Sequence, residues 1–492
     1  MKVFTRRDFI KSSIASGTVL AATAAFSRSK PFARILGAND NVRVAVAGIR
    51  SKGAQHIELF HELPGVTVAA ICDPDQELLD REAAKFQERN EKVKVYLDYR
   101  DLMHDKSIDA VVIASPNHWH SLMAIWACQA GKDVYVEKPV SHNIWEGRKL
   151  VEAARKYKRI VQAGTQSRSD EALQEVFAYL QQGKLGKIRA VYGLCYKRRD
   201  SIGKVAGPQP IPSSINYDLW TGPAPLKPLM RSRVHYDWHW DWDTGNGDIG
   251  NQGVHEIDMC RWVLGQKLPS RITCFGGRFG YVDDGETANT HVSIFEYKDS
   301  PPLIFEVQGL PRKKGDTAMS NYKGVRIGIV VKCEDGYFAG GSGGGWIYDN
   351  QDNRIKQFSS EGGKNHHANF IKAVRSRKVS DLNADIIEGH LSSALCHLGN
   401  IPFRLGQKTA VAEIQEAIKS VAPAKESLER FTSHLFENWI DLNVEKATLG
   451  PWLEFDADKE KFFQYDPYSL SRWANELLTR VYRKPFVVPE KV

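Results

Sequence analysis

The sequence is poor in cysteine and lacks any Cys-x-x-Cys pair. Among its 492 residues are only seven cysteines, an odd number, and they are scattered along the chain. A disulfide framework needs an even set of spaced cysteines in a small secreted chain. This chain is long enough for two or three domains instead, and we expect its thiols to be reduced.

Two further absences exclude other classes of protein. Beyond the N-terminal region, no apolar run reaches the roughly 20 residues that a membrane-spanning helix needs. No basic block or aromatic RNA-binding motif is present, and the net charge of +8 is modest for this length. We therefore expect a soluble mature protein without a nucleic-acid partner.

The N-terminus carries a twin arginine followed by an apolar, small-residue stretch. Residues 5–11 read TRRDFIK, the stretch covers residues 14–26, and an Ala-x-Ala site lies at residues 22–24. This order is typical of a twin-arginine export signal, whereas the alternative is a basic tail before an ordinary helix. We predict a signal peptide at residues 1–33, the twin-arginine export machinery as a partner, and a periplasmic protein, membrane-associated if the signal is retained.

Short apolar strands alternate with helices between residues 40 and 165. Repeated strand–helix units predict a doubly wound parallel sheet, which binds ligands at the carboxyl ends of its strands. The predicted strands begin at Val42, Val66, Ala110, Lys132 and Arg159.

The first strand ends in a modified nucleotide-binding turn, GIRSKG at residues 48–53. Arg50 replaces the middle glycine of GxGxxG, which prevents the closest backbone approach to a pyrophosphate but offers a guanidinium to it. Asp73 ends the second strand, 25 residues after Gly48. An acid there binds the adenosine ribose and favours NAD over NADP. Alternatively, Asp73 caps the next helix, with Pro74 at its first position.

From Ile188 onward the pattern changes to strands without long helices between them, which predicts a mostly antiparallel, open sheet. The glycine-rich stretch at residues 340–345 lacks the Gly-Lys-Ser/Thr of a phosphate loop, and we expect a flexible loop there.

Four motifs resemble the Gfo/Idh/MocA oxidoreductases, which include glucose–fructose oxidoreductase and inositol dehydrogenase. They are GIRSKG at 48–53, SPNHWH at 115–120, EKP at 137–139 and GNQGVHEID at 250–258. The resemblance implies an α/β Rossmann domain at 40–165 and an α+β domain with a large open sheet at 166–405, for substrate binding and oligomerisation. Residues 406–492 would form a helical extension, and the chain would form a homodimer or homotetramer through the open sheet.

The resemblance also assigns roles to individual residues. Lys138 and His255 are the expected catalytic pair, in which Lys138 holds the substrate oxygen and His255 takes the hydroxyl proton. Asn251 stands where the family's dehydrogenases usually carry an aspartate, so it cannot stabilise an imidazolium by charge. The expected cofactor-binding residues are Gly48, Ile49, Arg50, Gly53, Asp73, Ser115, Pro116, Asn117, His120, Glu137, Lys138 and Gln166. The expected substrate-binding residues are Lys138, Asn251, His255, Trp240 and Arg198.

Helical spacing would place Asn251, His255 and Asp258 on one face. The Trp-rich stretch at residues 235–243 suits either stacking on sugar rings or a core strand. A metal site built from His235, Asp237 and His239 is formally possible, but the family needs none, and we expect none.

The resemblance implies a nicotinamide-dependent oxidoreductase. Asp73 favours NAD over NADP as its cofactor, and the export signal together with the nucleotide-binding turn predicts that the cofactor stays bound after export. The substrate would be the hydroxyl carbon of a sugar, polyol or glycoside. One alternative is an NAD-dependent glycosidase that works by transient oxidation and elimination. A second is a non-catalytic sugar-binding protein, against which the presence of Lys138 and His255 argues.

Overall fold

The computed structural model describes residues 41–463 and 470–492. The signal peptide predicted at residues 1–33 lies outside the described residues.

The first layer is a six-stranded sheet in which every neighbouring pair is parallel. Its strands are β1 (Val42–Ala47), β2 (Val66–Cys72), β3 (Lys94–Tyr96), β4 (Ala110–Ile113), β5 (Asp133–Val136) and β6 (Val161–Ala163). The spatial order β3-β2-β1-β4-β5-β6 confirms the doubly wound sheet. Strands β1, β4 and β5 are almost fully buried, as expected for a parallel sheet with both faces covered. The sequence did not predict the short and partly exposed β3.

Helices cover both faces of this sheet. Asp75 caps α2 by accepting a hydrogen bond from the Glu77 amide at 3.1 Å, and Asn143 caps α5 in the same way. The helices are α1 (Lys52–His61), α2 (Gln76–Glu88), α3 (Tyr99–His104), α4 (Asn117–Gln129) and α5 (Ile144–Lys156).

The second sheet is mixed and mostly antiparallel, as predicted. Its twelve strands in the described residues are β7 (Ile188–Tyr196), β8 (Arg271–Gly277), β9 (Thr290–Glu296), β10 (Leu303–Gln308), β11 (Ile327–Cys333), β12 (Tyr337–Gly341), β13 (Gly344–Tyr348), β14 (Arg354–Ser359), β15 (Gln407–Thr409), β16 (Ala447–Leu449), β17 (Leu453–Asp456) and β18 (Lys461–Phe462). Among these described strands, the short β18 pairs only with β17. The main order is β14-β13-β12-β11-β7-β10-β9-β8-β16-β15, in which only β7 and β10 pair in parallel.

The helices of the second half pack on both faces of that sheet, apart from the helix at His366–Ser376, whose Phe370, Ile371 and Val374 lie in a core of the first sheet. They are α6 (Glu171–Gln181), α7 (Tyr217–Thr221), α8 (Gly247–Asn251), α9 (Gly253–Leu264), α10 (His366–Ser376), α11 (Ile386–Leu405), α12 (Val411–Ala417), α13 (Ala422–Glu437) and α14 (Leu470–Glu476), with 3₁₀ turns at Gln166–Ser169, Asp237–Trp240 and Val379–Asp381. Along β7, Val191 and Cys195 face a core with α6, α9 and α11, whereas Tyr192 and Leu194 face a core with α13. The alternation of side chains along a strand explains why both sets are apolar.

The glycine-rich stretch at residues 340–345 is a β-hairpin, so the expectation of a flexible loop is wrong. Gly340 pairs with Gly345, and Gly341 pairs with Gly344. A Cβ on Gly340 would lie 2.3 Å from the Gly344 carbonyl oxygen, and Gly344 has a φ of +106°. The glycines are therefore required by close backbone approach and local conformation.

Residues 406–492 contain strands as well as helices, and α13 covers the sheet face that we expected to be open for subunit contacts. Phe431 on α13 packs edge-to-face on Phe275 with ring centroids 5.2 Å apart. The buried Glu306 carboxylate of β10 accepts a hydrogen bond from Arg430 of α13 at 2.5 Å. The expectation of an exposed face is wrong where α13 lies, and the oligomeric state stays a prediction.

The described part of the chain carries no helix with both the length and the apolarity to cross a lipid bilayer. All seven cysteines fall within it, buried and free.

The packing of α13 can be tested with two phenylalanines of the same helix. Phe431 is 1% exposed and Phe436 is 76% exposed. We expect Phe431→Ala to lower the free energy of unfolding by about 3–5 kcal/mol, and Phe436→Ala to change it by less than about 0.5 kcal/mol. Urea unfolding followed by circular dichroism measures both, and equal effects would contradict the described packing.

Candidate cofactor and substrate cavity

A cavity of about 590 Å³ lies at the carboxyl ends of β1, β2, β4 and β5, between the two sheets. This is the edge at which a doubly wound sheet binds its ligand. The predicted site residues that line it are Gly48, Arg50, Asp73, Ser115, Pro116, Asn117, His120, Glu137, Lys138, Gln166, Asn251 and His255.

The turn after β1 needs glycine at both ends. Gly48 has a φ of +79°, and a Cβ there would lie 2.5 Å from the Ser115 amide nitrogen. A Cβ on Gly53 would lie 1.7 Å from the Gly48 carbonyl oxygen, so Gly53 lets α1 pack on the turn and does not itself line the cavity. Ile49 is fully buried and points away from the cavity, whereas Arg50 is exposed at its edge. The turn therefore leaves room for a pyrophosphate with a guanidinium beside it.

Asp73 is not a helix cap, because Asp75 caps α2. The Asp73 carboxyl is 6% exposed and accepts hydrogen bonds from the amides of Ile49 at 3.0 Å and Asp75 at 3.1 Å. Burial raises the pKa of Asp73 to about 7, although the two amide donors oppose the shift. This carboxyl is thus placed to bind ribose hydroxyls, and its charge changes near neutral pH.

Glu137 of the EKP motif is held by a buried hydrogen-bond network. Its carboxylate contacts His56 Nε2 at 3.0 Å, Gln166 Nε2 at 3.1 Å and the Lys138 amide at 3.1 Å. His56 Nδ1 in turn lies 3.0 Å from His367 Nε2. Burial opposes ionisation of Glu137, but the hydrogen bond from His56 and the nearby charges of Lys52 and Lys138 together outweigh it and lower the pKa of the carboxyl. Glu137 is therefore an anion that fixes the backbone beside Lys138.

The side chain of Lys138 joins the two halves of the cavity. Its Nζ donates a hydrogen bond to the backbone carbonyl of Asn251 at 2.6 Å, across 113 residues of sequence. Burial lowers the pKa of the ammonium group. A lysine with such a pKa can bind an oxygen as a cation and can also exchange a proton.

His255 lines the same cavity, and its ring has no hydrogen-bond partner among the described residues. Burial, and then the charge of Lys138, lower the pKa of His255 to about 3, so the imidazole is neutral at pH 7. A neutral imidazole with a free ring nitrogen can accept a proton from a bound hydroxyl.

Of the three residues predicted to share one helical face, Asn251 and His255 line the cavity and Asp258 does not. Asn251 ends α8, and α9 begins at Gly253, which breaks the helical spacing. Asp258 is fully buried and contacts the Arg168 guanidinium at 2.9 Å, so it supports the fold behind the cavity.

Gln252 and Glu256, close to His255 in sequence, were not predicted to belong to the site, and Lys197 was considered only among the basic residues that end β7, either as a pocket residue or as part of a solvated cluster. Lys197 Nζ donates to Gln252 Oε1 at 2.9 Å, and Gln252 Nε2 donates to Glu256 Oε1 at 3.2 Å. Burial raises the pKa of Glu256 to about 8, which favours its neutral form at pH 7. Lys197 and Gln252 line the cavity, and the basic run at the end of β7 was the only sign of Lys197 in the sequence.

The Trp-rich stretch supplies one wall of the cavity, but not through the residue we expected. Trp238 and His239 stack with ring centroids 3.7 Å apart, and both line the cavity with Tyr236. Trp240 is 4% exposed and lies beneath Arg199. Arg198 is exposed and pairs with Asp200. Trp240 and Arg198 are therefore not placed to contact a substrate, contrary to prediction.

The residues considered for a metal site do not converge. His235 Nε2 contacts Asp75 at 3.2 Å, Asp237 pairs with Arg233 at 2.8 Å, and the ring of His239 contacts a backbone carbonyl. Within residues 41–463 and 470–492, no cluster of three histidine, cysteine or acidic side chains has a geometry that holds a metal ion.

Two family models match the chain. Residues 42–165 match the oxidoreductase family with an NAD-binding Rossmann fold, and residues 185–305 match the C-terminal alpha/beta domain of that family, GFO_IDH_MocA. These matches confirm the resemblance stated above and identify NAD as the cofactor of the first domain.

Among curated proteins, the chain is similar to a glycosyl hydrolase family 109 protein of Shewanella baltica strain OS185. The two are 35% identical over 167 residues, which cover 30% of this chain and 36% of that protein. A protein of the same description from Shewanella sp. strain W3-18-1 is 38% identical over 120 residues, 23% of this chain and 26% of that protein. The chain thus spans only about a quarter to a third of the length of these relatives.

Among solved structures, the fold is similar to that of the WlbA dehydrogenase from Bordetella pertussis in complex with NADH and UDP-GlcNAcA. The TM-score is 0.55 at 18% identity, over 73% of this chain and 95% of that one. At this low sequence identity, the comparison shows a similar fold and nothing about the reaction or the substrate.

We expect the affinity for NAD to fall as the pH drops through about 7. Ionised Asp73 accepts hydrogen bonds from the ribose hydroxyls as a charged acceptor. Protonation removes this charge and weakens those hydrogen bonds. Titration calorimetry of protein freed of bound cofactor, between about pH 5.5 and pH 8.5, measures the effect.

Asp73→Asn is the matched control, because an amide does not titrate. It should bind NAD weakly at every pH and discriminate less against NADP. Wild-type affinity that is flat across this range would show that Asp73 does not contact the ribose as a titrating group.

Proposed function

Because the chain belongs to the Gfo/Idh/MocA oxidoreductase family, we propose that it transfers a hydride between NAD and a hydroxyl-bearing carbon of a sugar, polyol or glycoside. The observation that carries this proposal is the meeting of Lys138 and His255 in one cavity with the glycine turn and Asp73. One end of the cavity has the groups that hold a dinucleotide, and the other has two groups that exchange protons.

The residues fit NAD, which supplies a hydride acceptor when bound. Gly48 leaves space for the pyrophosphate, Arg50 lies beside that space, and Asp73 faces the ribose end. An alcohol that gives up a hydride must also give up its hydroxyl proton. His255 takes that proton at its ring nitrogen, and Lys138 stabilises the developing charge on the oxygen.

A carbohydrate is the substrate class that the cavity wall favours. Trp238 and Tyr236 offer flat apolar faces, and Lys197 and Gln252 offer polar groups at the same end. Two similar proteins support this choice, since one is described as a glycosyl hydrolase family 109 protein and the other was solved with a nucleotide sugar.

We further propose that the protein leaves the cytoplasm folded, with NAD bound, through the signal predicted at residues 1–33. Outside the inner membrane there is no free pool of this cofactor. A cofactor that stays bound would have to be regenerated on the protein.

A second candidate is a glycosidase in which the sugar hydroxyl is oxidised, the aglycone is eliminated, water is added, and the hydroxyl is restored. Such a cycle consumes no cofactor, and the name of the curated relatives favours it. It needs several proton transfers, for which Lys138, His255 and His239 all line the cavity.

One experiment separates the two candidates. The purified mature protein is assayed for nicotinamide released by acid, and then screened on aryl glycosides without added cofactor. Steady release of aglycone supports the glycosidase, whereas oxidation of sugars only with an added electron acceptor supports the oxidoreductase. A protein without bound cofactor and without either activity would contradict the proposal.

We expect Lys138→Ala and His255→Ala each to reduce turnover by roughly 10²–10⁴-fold while folding and bound NAD persist, because each removes a proton-transfer group. Single-turnover kinetics and the cofactor content measure this. Turnover within a few-fold of wild type would reject the assigned role.

Asn251→Asp tests the protonation of His255. A carboxylate near the imidazole should raise its pKa and move the acidic limb of the kcat/KM profile to higher pH. An unmoved profile would mean that Lys138 or another group carries the proton. Trp240→Phe, outside the cavity, serves as the control for general effects on folding.

A further inference from the structure

A second cavity, of about 220 Å³, shares no lining residue with the first. It lies between the loop before α5, the segment before α8, the end of α11 and the residues after α14. We call it the Arg404–Arg480 cavity. The residues that line it are His142, Asn143, Trp242, Asp243, Asn246, His397, Asn400, Ile401, Arg404, Leu477, Thr479 and Arg480.

Its two arginines have no ion-pair partner. In the part of the chain that the structure describes, no carboxylate oxygen lies within 4.0 Å of the guanidinium nitrogens of Arg404 or Arg480. The one acidic residue in the lining, Asp243, is paired with Lys227 at 2.5 Å. Partial loss of hydration, and repulsion by Arg480, lower the pKa of Arg404 against the attraction of Glu286 and Asp243. The cavity therefore holds two guanidinium groups without a direct ion pair among the described residues, although Glu286 and Asp243 attract Arg404 and Glu146 attracts Arg480 at longer range.

His142 adds a hydrogen-bond donor. Arginine can only donate, so the 3.2 Å contact from Arg480 Nη1 makes His142 Nδ1 an acceptor. Burial, and then the charge of Arg480, keep the pKa of His142 far below its usual value. The neutral ring consequently carries its proton on Nε2, which is buried and has no partner among the described residues. A buried donor without an acceptor is unfavourable, and a ligand oxygen would satisfy it.

We propose that the Arg404–Arg480 cavity binds an oxyanion, either a free phosphate or sulfate ion or the acidic group of a sugar. A guanidinium group binds such an oxyanion with two parallel hydrogen bonds, and His142 Nε2 supplies a further donor. The neighbouring side chains hold the site open, since Arg404 lies over the Trp242 ring at 5.1 Å and Asn400 bonds to the Asn246 carbonyl at 2.9 Å.

A single hydrogen bond connects a lining residue of this cavity to a lining residue of the cofactor cavity. Asn246 lines the Arg404–Arg480 cavity and accepts from Asn117 Nδ2 at 3.3 Å, and Asn117 lines the first cavity. Binding at this site does not depend on the proposed catalytic reaction.

Titration calorimetry on the mature protein with its cofactor tests the proposal, using inorganic phosphate, sulfate and glucuronate at constant ionic strength. Glucose is the neutral control for glucuronate. We expect saturable binding of at least one oxyanion and none of glucose. Tighter binding of phosphate or sulfate identifies a free ion as the ligand, and tighter binding of glucuronate identifies an acidic sugar.

Arg404→Gln and Arg480→Gln should each weaken that binding by about tenfold or more, since each removes a charged donor. Arg472→Gln, on the exposed side of α14, should leave it unchanged. Arg404 is exposed, so its variant is expected to fold even if Arg480→Gln does not. Absence of binding up to about 10 mM, or unchanged binding by Arg404→Gln, would overturn the proposal.

Discussion

The position of α9, the helix that carries His255, depends on one buried carboxylate, Asp258. It contacts Arg168 at 2.9 Å and Ser392 at 2.6 Å, and Arg168 and Arg261 both reach Glu388 of α11. A buried ion pair contributes little net stability, but breaking it leaves an unpaired charge, so its geometry is strongly enforced. This geometry ties α9 to the 3₁₀ turn that carries Gln166. His255 of α9 and Gln166 of this turn both line the cavity with Lys138.

Much of this site could be predicted from local sequence. A glycine turn, an acid at the end of the second strand and a lysine at the end of β5 all depend on the parallel sheet, whose apolar pattern is clear. The predictions failed where contacts between residues distant in the sequence determine the local structure. Asn251 and His255 were placed on one helix because spacing alone does not reveal the break at Gln252. The glycine-rich stretch was expected to be a loop because composition alone does not reveal the backbone pairing of β12 and β13, which requires these glycines.

The C-terminal helix α13 is a second case in which the sequence did not reveal a contact between distant parts of the chain. A sheet with an apolar outer face predicts that something covers it, and we assigned that role to a second subunit. In the structure, α13 provides the cover, with Phe431 in the core and Arg430 on the buried Glu306. Glu306 indicates such a covering element, because an acidic residue in the middle of an apolar strand needs a cationic partner. No pattern in the sequence identifies Arg430 as that partner.

The position of residues 486–492 has a consequence for biosynthesis. Phe486 packs on Trp119 with ring centroids 5.3 Å apart, and Val488 and Val492 belong to the core beneath the first sheet. The domain that leaves the ribosome first thus keeps an uncovered apolar surface until the whole second domain has been made. Its completion is a late, long-range step, which favours prolonged contact with chaperones. A chain that is truncated before residue 486 would expose this surface permanently and become prone to aggregation.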